Sequence, residues 1–359
     1  MKAAVLQGSQ LTVKEVVAPV PREGDVLVKS LACGVCGSDL HVLHYCDAVL
    51  EGFRRGGVPI DFDPAPGVIL GHEYCAEIVD FGPGTEKKLK RGTRVTSIPY
   101  IVNNQVFEHV GYSNIYPGGF GEYMILPESL LIPVPDNLPN DLAALAEPLT
   151  VGVHAVDRAG MTGNEVPIVL GCGTIGLMVI LALKAKGIGP VVAVDFSPFR
   201  RGLAARLGAD IVVNPAEQSP YQSWVEVAAP DGYRIDGPEA LFGVGVQPRP
   251  CVVFECVGVP GLIQQMFNGA PPRSRLVIVG LCMQPDEIHP SIGLFKQMDL
   301  RFSFIYHTEE FAEAVQMLAD GRVDGSAMIT GRVAVEALPE MIAELGDPEK
   351  HAKLVVQFD

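Results

Sequence analysis

The chain has 359 residues, 48% hydrophobic and only 19% charged, with a formal net charge of −15. That length exceeds one ordinary core and predicts two domains, while the acidity excludes the basic footprint of a nucleic-acid binder. No apolar run approaches the roughly 18 residues of a membrane span, and Met1-Lys2-Ala3-Ala4-Val5 lacks the pattern of a signal peptide, so a cytoplasmic protein with no membrane or nucleic-acid partner is expected.

In chain order, the first 145 residues are rich in Val, Ile, Gly and Pro and predict short strands between tight turns, among them Asp25-Val26-Leu27-Val28-Lys29 and Gly92-Thr93-Arg94-Val95-Thr96. Such spacing predicts a barrel-like β domain. The character changes after Glu147-Pro148. Residues 167–170 predict a buried strand running into a glycine cluster and then a helix through Lys186. A strand is expected at 191–195, a helix at 200–207, and further buried strands at 251–254 and 276–279. Strands alternating with helices predict an α/β fold with a parallel, doubly wound sheet. Residues 309–318 read as an amphipathic helix, and 353–358 as a strand that returns to the first domain. The expected division is 1–147 with 301–359 for a β-rich catalytic domain, and 148–300 for a nucleotide-binding domain.

Gly171-Cys172-Gly173-Thr174-Ile175-Gly176 fits the G-x-G-x-x-G pattern, directly after a buried strand and opening a helix. Backbone amides and the helix dipole meet a pyrophosphate there. Gly171 permits the tight turn, Gly173 the approach of the phosphate, and Gly176 the close packing of helix on strand. Asp195 ends the next strand, nineteen positions beyond Gly176, where an acid accepts from both ribose hydroxyls. Its charge repels a 2′-phosphate and favours NAD over NADP, a preference that Arg200 and Arg201 soften.

The eight cysteines are Cys33, Cys36, Cys46, Cys75, Cys172, Cys251, Cys256 and Cys282. In a large chain, scattered cysteines are more often buried small side chains or metal ligands than disulfides. Cys33-Gly34-Val35-Cys36 also has redox-motif spacing, but its continuation favours a metal. Cys36-Gly37-Ser38-Asp39-Leu40-His41, Gly71-His72-Glu73 and Ala146-Glu147-Pro148-Leu149 closely resemble the signatures of the zinc-dependent medium-chain dehydrogenases, nearest the sorbitol, polyol and threonine dehydrogenase group. The resemblance spans essentially the whole chain, including Phe254-Glu255-Cys256-Val257-Gly258.

It implies a GroES-like catalytic domain interrupted by a Rossmann domain, an active site in the cleft between them, and a homodimer or homotetramer. The implied zinc ligands are Cys36, His72 and Glu147, with Glu147 where the alcohol dehydrogenase subgroup has a second cysteine. Thiolate, imidazole and carboxylate suit Zn²⁺, and a catalytic site keeps one position open. Glu73 is left between two roles, an acid behind the ligands or an exchangeable ligand. Cofactor contacts are expected from Gly171, Gly173, Thr174, Ile175, Gly176, Asp195, Arg200, Val257 and Gly258. The implied activity is reversible hydride transfer from a secondary alcohol, polyol or cyclic alcohol to NAD. Ser38 would accept the alcohol's proton, which travels by way of the cofactor ribose to His41 near solvent. By the same matching, Cys33 and Cys75 are structural. A zinc-free quinone or enone reductase on this scaffold is opposed by the ligand set, and a non-catalytic redox sensor by Ser38 and His41.

Two stretches depart from the family. No cysteine occurs from Thr93 through Tyr123, where many relatives carry a second, structural zinc on four cysteines, so one zinc per chain is expected. Residues 43–66 are longer than usual and, following the zinc-ligand loop, are candidates to line or cover the substrate pocket. Residues 215–250 form a second long connection with no assigned role.

Overall fold

The longest strand, Asp25–Gly34, organises the first half of the fold in this computed structural model, which describes residues 1–103 and 106–358. Val26, Val28, Ser30 and Ala32 are buried and alternate with half-buried neighbours, the period of a sheet with one face on a core. The strand pairs antiparallel with Glu73–Phe81, with Tyr123–Pro127 along its first part, and with Lys353–Gln357 along its last. The sheet runs Ile329–Ala334, Lys353–Gln357, Asp25–Gly34, Glu73–Phe81, Arg94–Thr96, Ile132–Pro133, with Tyr123–Pro127 alongside. The last strand of the sequence does join the first strands.

Residues 43–66 are not simply a loop. Their first part completes a helix, Gly37–Gly56, kinked at Tyr45 and stopped by Gly57 at φ +69°, the left-handed ending that glycine supplies. Val42, Leu43, Val49 and Leu50 form its buried face. In the cysteine-free stretch between Thr93 and Tyr123, the chain forms the antiparallel strands Tyr100–Asn103 and Val106–His109.

The second unit is a parallel sheet in the order Ile211–Val213, Val192–Val194, Val166–Leu170, Cys251–Glu255, Arg275–Ile278, Asp299–Phe302. Counted along this unit alone, the strand order is 3-2-1-4-5-6, that of the dinucleotide-binding doubly wound fold. Every residue of Val166–Leu170 and Cys251–Glu255 is buried, because helices cover both faces. The helix Pro220–Ala228, inside the 215–250 connection, sinks Trp224 into the core beside Val166, Val192 and Val253. That part of the connection is a crossover helix rather than an insertion.

Contacts group Met1–Glu147, Phe311–Gly321 and Ile329–Asp359 as one unit, and Pro148–Glu310 with Arg322–Met328 as the other. The expected boundary between 300 and 301 cuts through Asp299–Phe302, whose pairing with Arg275–Ile278 continues to Phe302. Residues 301–310 and 322–328 therefore group with the second unit. No helix among the described residues is long and apolar enough to cross a membrane.

Candidate active site

Cys36 ends the turn after Asp25–Gly34 and stands at the N-cap of Gly37–Gly56. His72 and Glu73 lie at the start of Glu73–Phe81, behind Gly71 at φ +98°. A Cβ on Gly71 would fall 2.7 Å from the Phe120 ring and 2.8 Å from Cys33 Sγ, so glycine alone brings His72 this close. One ligand atom each from Cys36, His72 and Glu73 lies within 4.8 Å of the other two. Glu147, in the first turn of Ala146–Ala159, is buried, and its charge is felt at His72, Tyr74, Tyr100 and Lys353.

Burial disfavours a charged His72, yet Asp39, Cys36 and Glu147 together push its pKa up to about 10. A field that favours positive charge on a buried imidazole is the field a divalent cation requires. With a thiol, an imidazole and two carboxylates as donors, the residues fit zinc. His72 Nδ1 is buried without a hydrogen bond and faces Asp39 Oδ1 at 3.6 Å.

Glu73 is fully buried, and both its oxygens accept from Lys353 Nζ at 2.7 Å. The same ammonium donates to the Val35 carbonyl at 3.0 Å. Burial opposes the charge on Lys353, but Glu73, then Cys36 and Glu147, hold it protonated and raise its pKa. A Cβ on Gly34 would lie 2.0 Å from Glu73 Oε2, so Gly34 makes room for this pair. Lys353 was not among the expected site residues; its signal was a single lysine inside the apolar run Ala352-Lys353-Leu354-Val355-Val356.

Ser38 and His41 sit three residues apart on Gly37–Gly56 and hence on one side of it. Asp39 is fully buried between them, its Oδ2 accepting from the Cys36 amide at 2.9 Å. Ser38 Oγ accepts from the Tyr112 hydroxyl at 2.8 Å. His41 is partly buried rather than freely solvated, and its Nδ1 has no partner. Burial, and then the nearby His44, lower its pKa. Asp39 belongs to a quoted motif and Tyr112 to none; neither was assigned a role. Cys33 and Cys75 are fully buried, on neighbouring strands.

In the second unit, the strand Val166–Leu170 leads into Gly171 at φ +89° and then the helix Thr174–Ala185. A Cβ on Gly176 would lie 1.8 Å from the Gly171 carbonyl oxygen, so the helix packs this closely only with glycine there. Gly173 caps the helix without a side-chain hydrogen bond, and a Cβ on it would meet only Arg200 Nη1, at 3.9 Å. An open helix N-terminus of this kind accommodates a phosphate. Thr174 and Ile175, in the first turn, are half-buried.

Asp195 Oδ2 accepts from the Cys172 amide and Oδ1 from the Ser197 amide, each at 2.8 Å. The carboxylate thus ties the glycine turn to the next helix and keeps further lone pairs for a ligand. Arg201 is spent on the carbonyls of Asp195 and Phe196, whereas Arg200 Nε is buried without a partner. Across the turn, Glu255 Oε1 accepts from the amides of Val257 and Gly258 at 2.7 Å. Val257 packs over Gly171, where a Cβ would fall 2.6 Å from its Cγ2. The set lies between Val166–Leu170 and Cys251–Glu255, where the strand order reverses, the position at which such sheets bind dinucleotides. These residues fit a nicotinamide dinucleotide.

Comparison with known proteins agrees on both units. The alcohol dehydrogenase GroES-like domain matches residues 22–136, and the zinc-binding dehydrogenase family matches residues 174–320. The (R,R)-butanediol dehydrogenase of Bacillus subtilis (strain 168) is 30% identical over 349 residues, covering 95% of this chain and 94% of its own length. Sorbitol dehydrogenase from the same organism is 28% identical over 351 residues, covering 94% and 91%. A crystal structure from Sinorhizobium meliloti 1021, assigned as a zinc-binding dehydrogenase and bound to NADP, superposes with a TM-score of 0.80 at 27% identity over 99% of both chains.

Proposed function

Because the chain belongs to the zinc-dependent alcohol dehydrogenase family, whose chemistry is oxidoreduction at CH–OH with zinc and NAD(P), we propose that it reversibly oxidises a secondary alcohol, polyol or cyclic alcohol to a ketone, preferring NAD. The observation that carries this reading is the convergence of Cys36, His72 and Glu73 within 4.8 Å in a buried, negatively charged setting that Glu147 shares.

Cys36, His72 and Glu147 are the zinc ligands in this reading. The engagement of both Glu73 oxygens by Lys353 supports Glu73 as the acid behind them. Zinc, when bound, supplies a Lewis acid that makes an alcohol acidic near neutral pH. NAD would supply the hydride acceptor for the carbinol carbon. Asp39, 3.6 Å from His72 Nδ1, adds negative charge behind the imidazole. Ser38 accepts the alcohol's proton, and His41, neutral at pH 7 because burial lowers its pKa, takes that proton toward solvent. The glycine turn, Thr174 and Ile175 would hold the pyrophosphate, and Val257 and Gly258 would add further contacts to the cofactor. Asp195 takes the ribose and, by its charge, disfavours a 2′-phosphate.

The first unit is the catalytic domain and the second the cofactor domain. A homodimer or homotetramer that covers the edge strand Asp299–Phe302 fits the exposure of Phe302, Phe304, Leu294 and Phe295 in this region. Eight unpaired cysteines suit a reducing, cytoplasmic setting.

The test is elemental analysis together with an alcohol panel of 2,3-butanediol, sorbitol, threonine and cyclohexanol. About one zinc per chain is expected, with NAD reduction lost on chelation. Full activity in metal-free protein overturns the proposal.

A further inference from the structure

Tyr112 is buried where the substrate proton would be handled. Its ring stacks on His109 with centroids 4.8 Å apart and on Phe62 at 6.0 Å, and tilts against His72 at 5.2 Å. Held in that stack, its hydroxyl lies 2.8 Å from Ser38 Oγ and 3.2 Å from Asp39 Oδ1. A phenol has one proton and serves one acceptor at a time; the shorter contact is to Ser38.

A serine hydroxyl offers one proton and two lone pairs. With one lone pair occupied by Tyr112, Ser38 keeps one to receive a proton and has one proton to give. Building on the reading of Ser38 as acceptor of the alcohol's proton, we propose that Tyr112 is a positioning residue that turns Ser38 into a relay with one entrance and one exit. It locks the Ser38 hydroxyl rotor and stabilises the negative charge that gathers on Oγ as the serine proton departs. In the step, the alcohol O–H bond breaks and a new Oγ–H bond forms. The original Oγ–H bond breaks, and its proton passes to a neighbouring hydroxyl or water on the way to His41. Tyr112 keeps its own proton, and nothing is oxidised or reduced in this step.

The experiment is Tyr112→Phe, which preserves the aromatic stack and removes only the donor. With the best alcohol of the panel at saturation, kcat is expected to fall about 10-fold, the loss of one hydrogen bond to a developing charge. KM should stay within about twofold, since the bond matters to the transition state more than to binding. The solvent deuterium isotope effect on kcat should grow, while zinc content stays at the wild-type value. Tyr112→Phe should add nothing to Ser38→Ala in the double variant. If Ser38→Ala is crippled but Tyr112→Phe keeps the wild-type rate and isotope effect, the role of Tyr112 alone is overturned. If Ser38→Ala turns over like wild type, the reading of Ser38 fails and takes the relay with it. A Tyr112→Phe protein that loses zinc, or melts several degrees lower, places Tyr112 in packing only and also overturns the proposal.

Discussion

Lys353→Met removes an ammonium that makes three hydrogen bonds, two to Glu73 and one to the Val35 carbonyl. Methionine keeps most of the side-chain length, so little cavity opens and the effect is mainly electrostatic. Glu73 is left fully buried with no counter-ion. Removing one member of a buried pair costs about 3–5 kcal/mol, or about 6–20 °C in Tm for a unit of this size. The assay is thermal unfolding of metal-free protein followed by circular dichroism. Trp224, the only tryptophan, lies in the core of the second unit and serves as a fluorescence reference there. Adding Glu73→Gln to Lys353→Met should recover at least half of the loss, because the stranded charge is gone. With zinc present the single variant should lose less, since the freed Glu73 already lies within ligand reach of Cys36 and His72. A Lys353→Met protein within about 1 kcal/mol of wild type in the metal-free state refutes the reasoning, because a buried carboxylate stripped of its partner cannot be that cheap.

His41→Ala should slow alcohol oxidation by roughly 10²-fold or less, because solvent substitutes in part. Since burial lowers the His41 pKa, wild-type kcat should fall only as pH drops through that lowered value. The variant should lose this acid limb; an unchanged profile would leave His41 without a role. Glu147→Gln should lose zinc on dialysis and Glu147→Cys should retain it, while Glu73→Gln keeps zinc but turns over about 10- to 100-fold more slowly. The reverse pattern would make Glu73 the ligand. Wild-type enzyme should favour NAD over NADP in kcat/KM by about an order of magnitude or more, a margin set by like-charge repulsion. Asp195→Ala should narrow that margin, and should also lower Tm, because the carboxylate accepts from the Cys172 and Ser197 amides; a wild-type preference for NADP would give the deciding role to Arg200.

What could be read directly was whatever is encoded locally. The run 166–170 is apolar on both faces, Gly171 after it sits at φ +89° where other residues are strained, and Gly176 leaves no room for a Cβ, so strand, turn and helix followed from a dozen letters. Cys36 and the His72-Glu73 pair were legible only as separate motifs, because what joins them is the pairing of Asp25–Gly34 with Glu73–Phe81. Lys353 was hidden for a physical reason: its meeting with Glu73 depends on the register that sets Val355 opposite Gly34 and Gly34 opposite Glu73. No local pattern encodes that register. Tyr112 was invisible on similar grounds, since only the folded chain brings its hydroxyl to Ser38. The helix Gly37–Gly56 did carry a signal in Val42, Leu43, Val49 and Leu50, blurred by the kink at Tyr45. The sheet's last strand defeated the boundary because Asp299–Phe302 is only partly buried at its edge.

The strand Lys353–Gln357 has a further consequence for how the protein is made. Pro148–Glu310 carries all six strands of its sheet in one continuous stretch, so it can fold while synthesis continues, as domains generally do. The first unit has no such freedom. Asp25–Gly34 and Glu73 leave the ribosome early, yet one partner of that strand lies in the last strand of the sequence, and the counter-ion of Glu73 arrives 280 residues after it. Throughout that interval the nascent chain exposes an unpaired sheet edge and a carboxylate with no cation beside it. Long-range pairing of this kind is slow, and an unpaired strand edge is a template for pairing with other chains until it is covered.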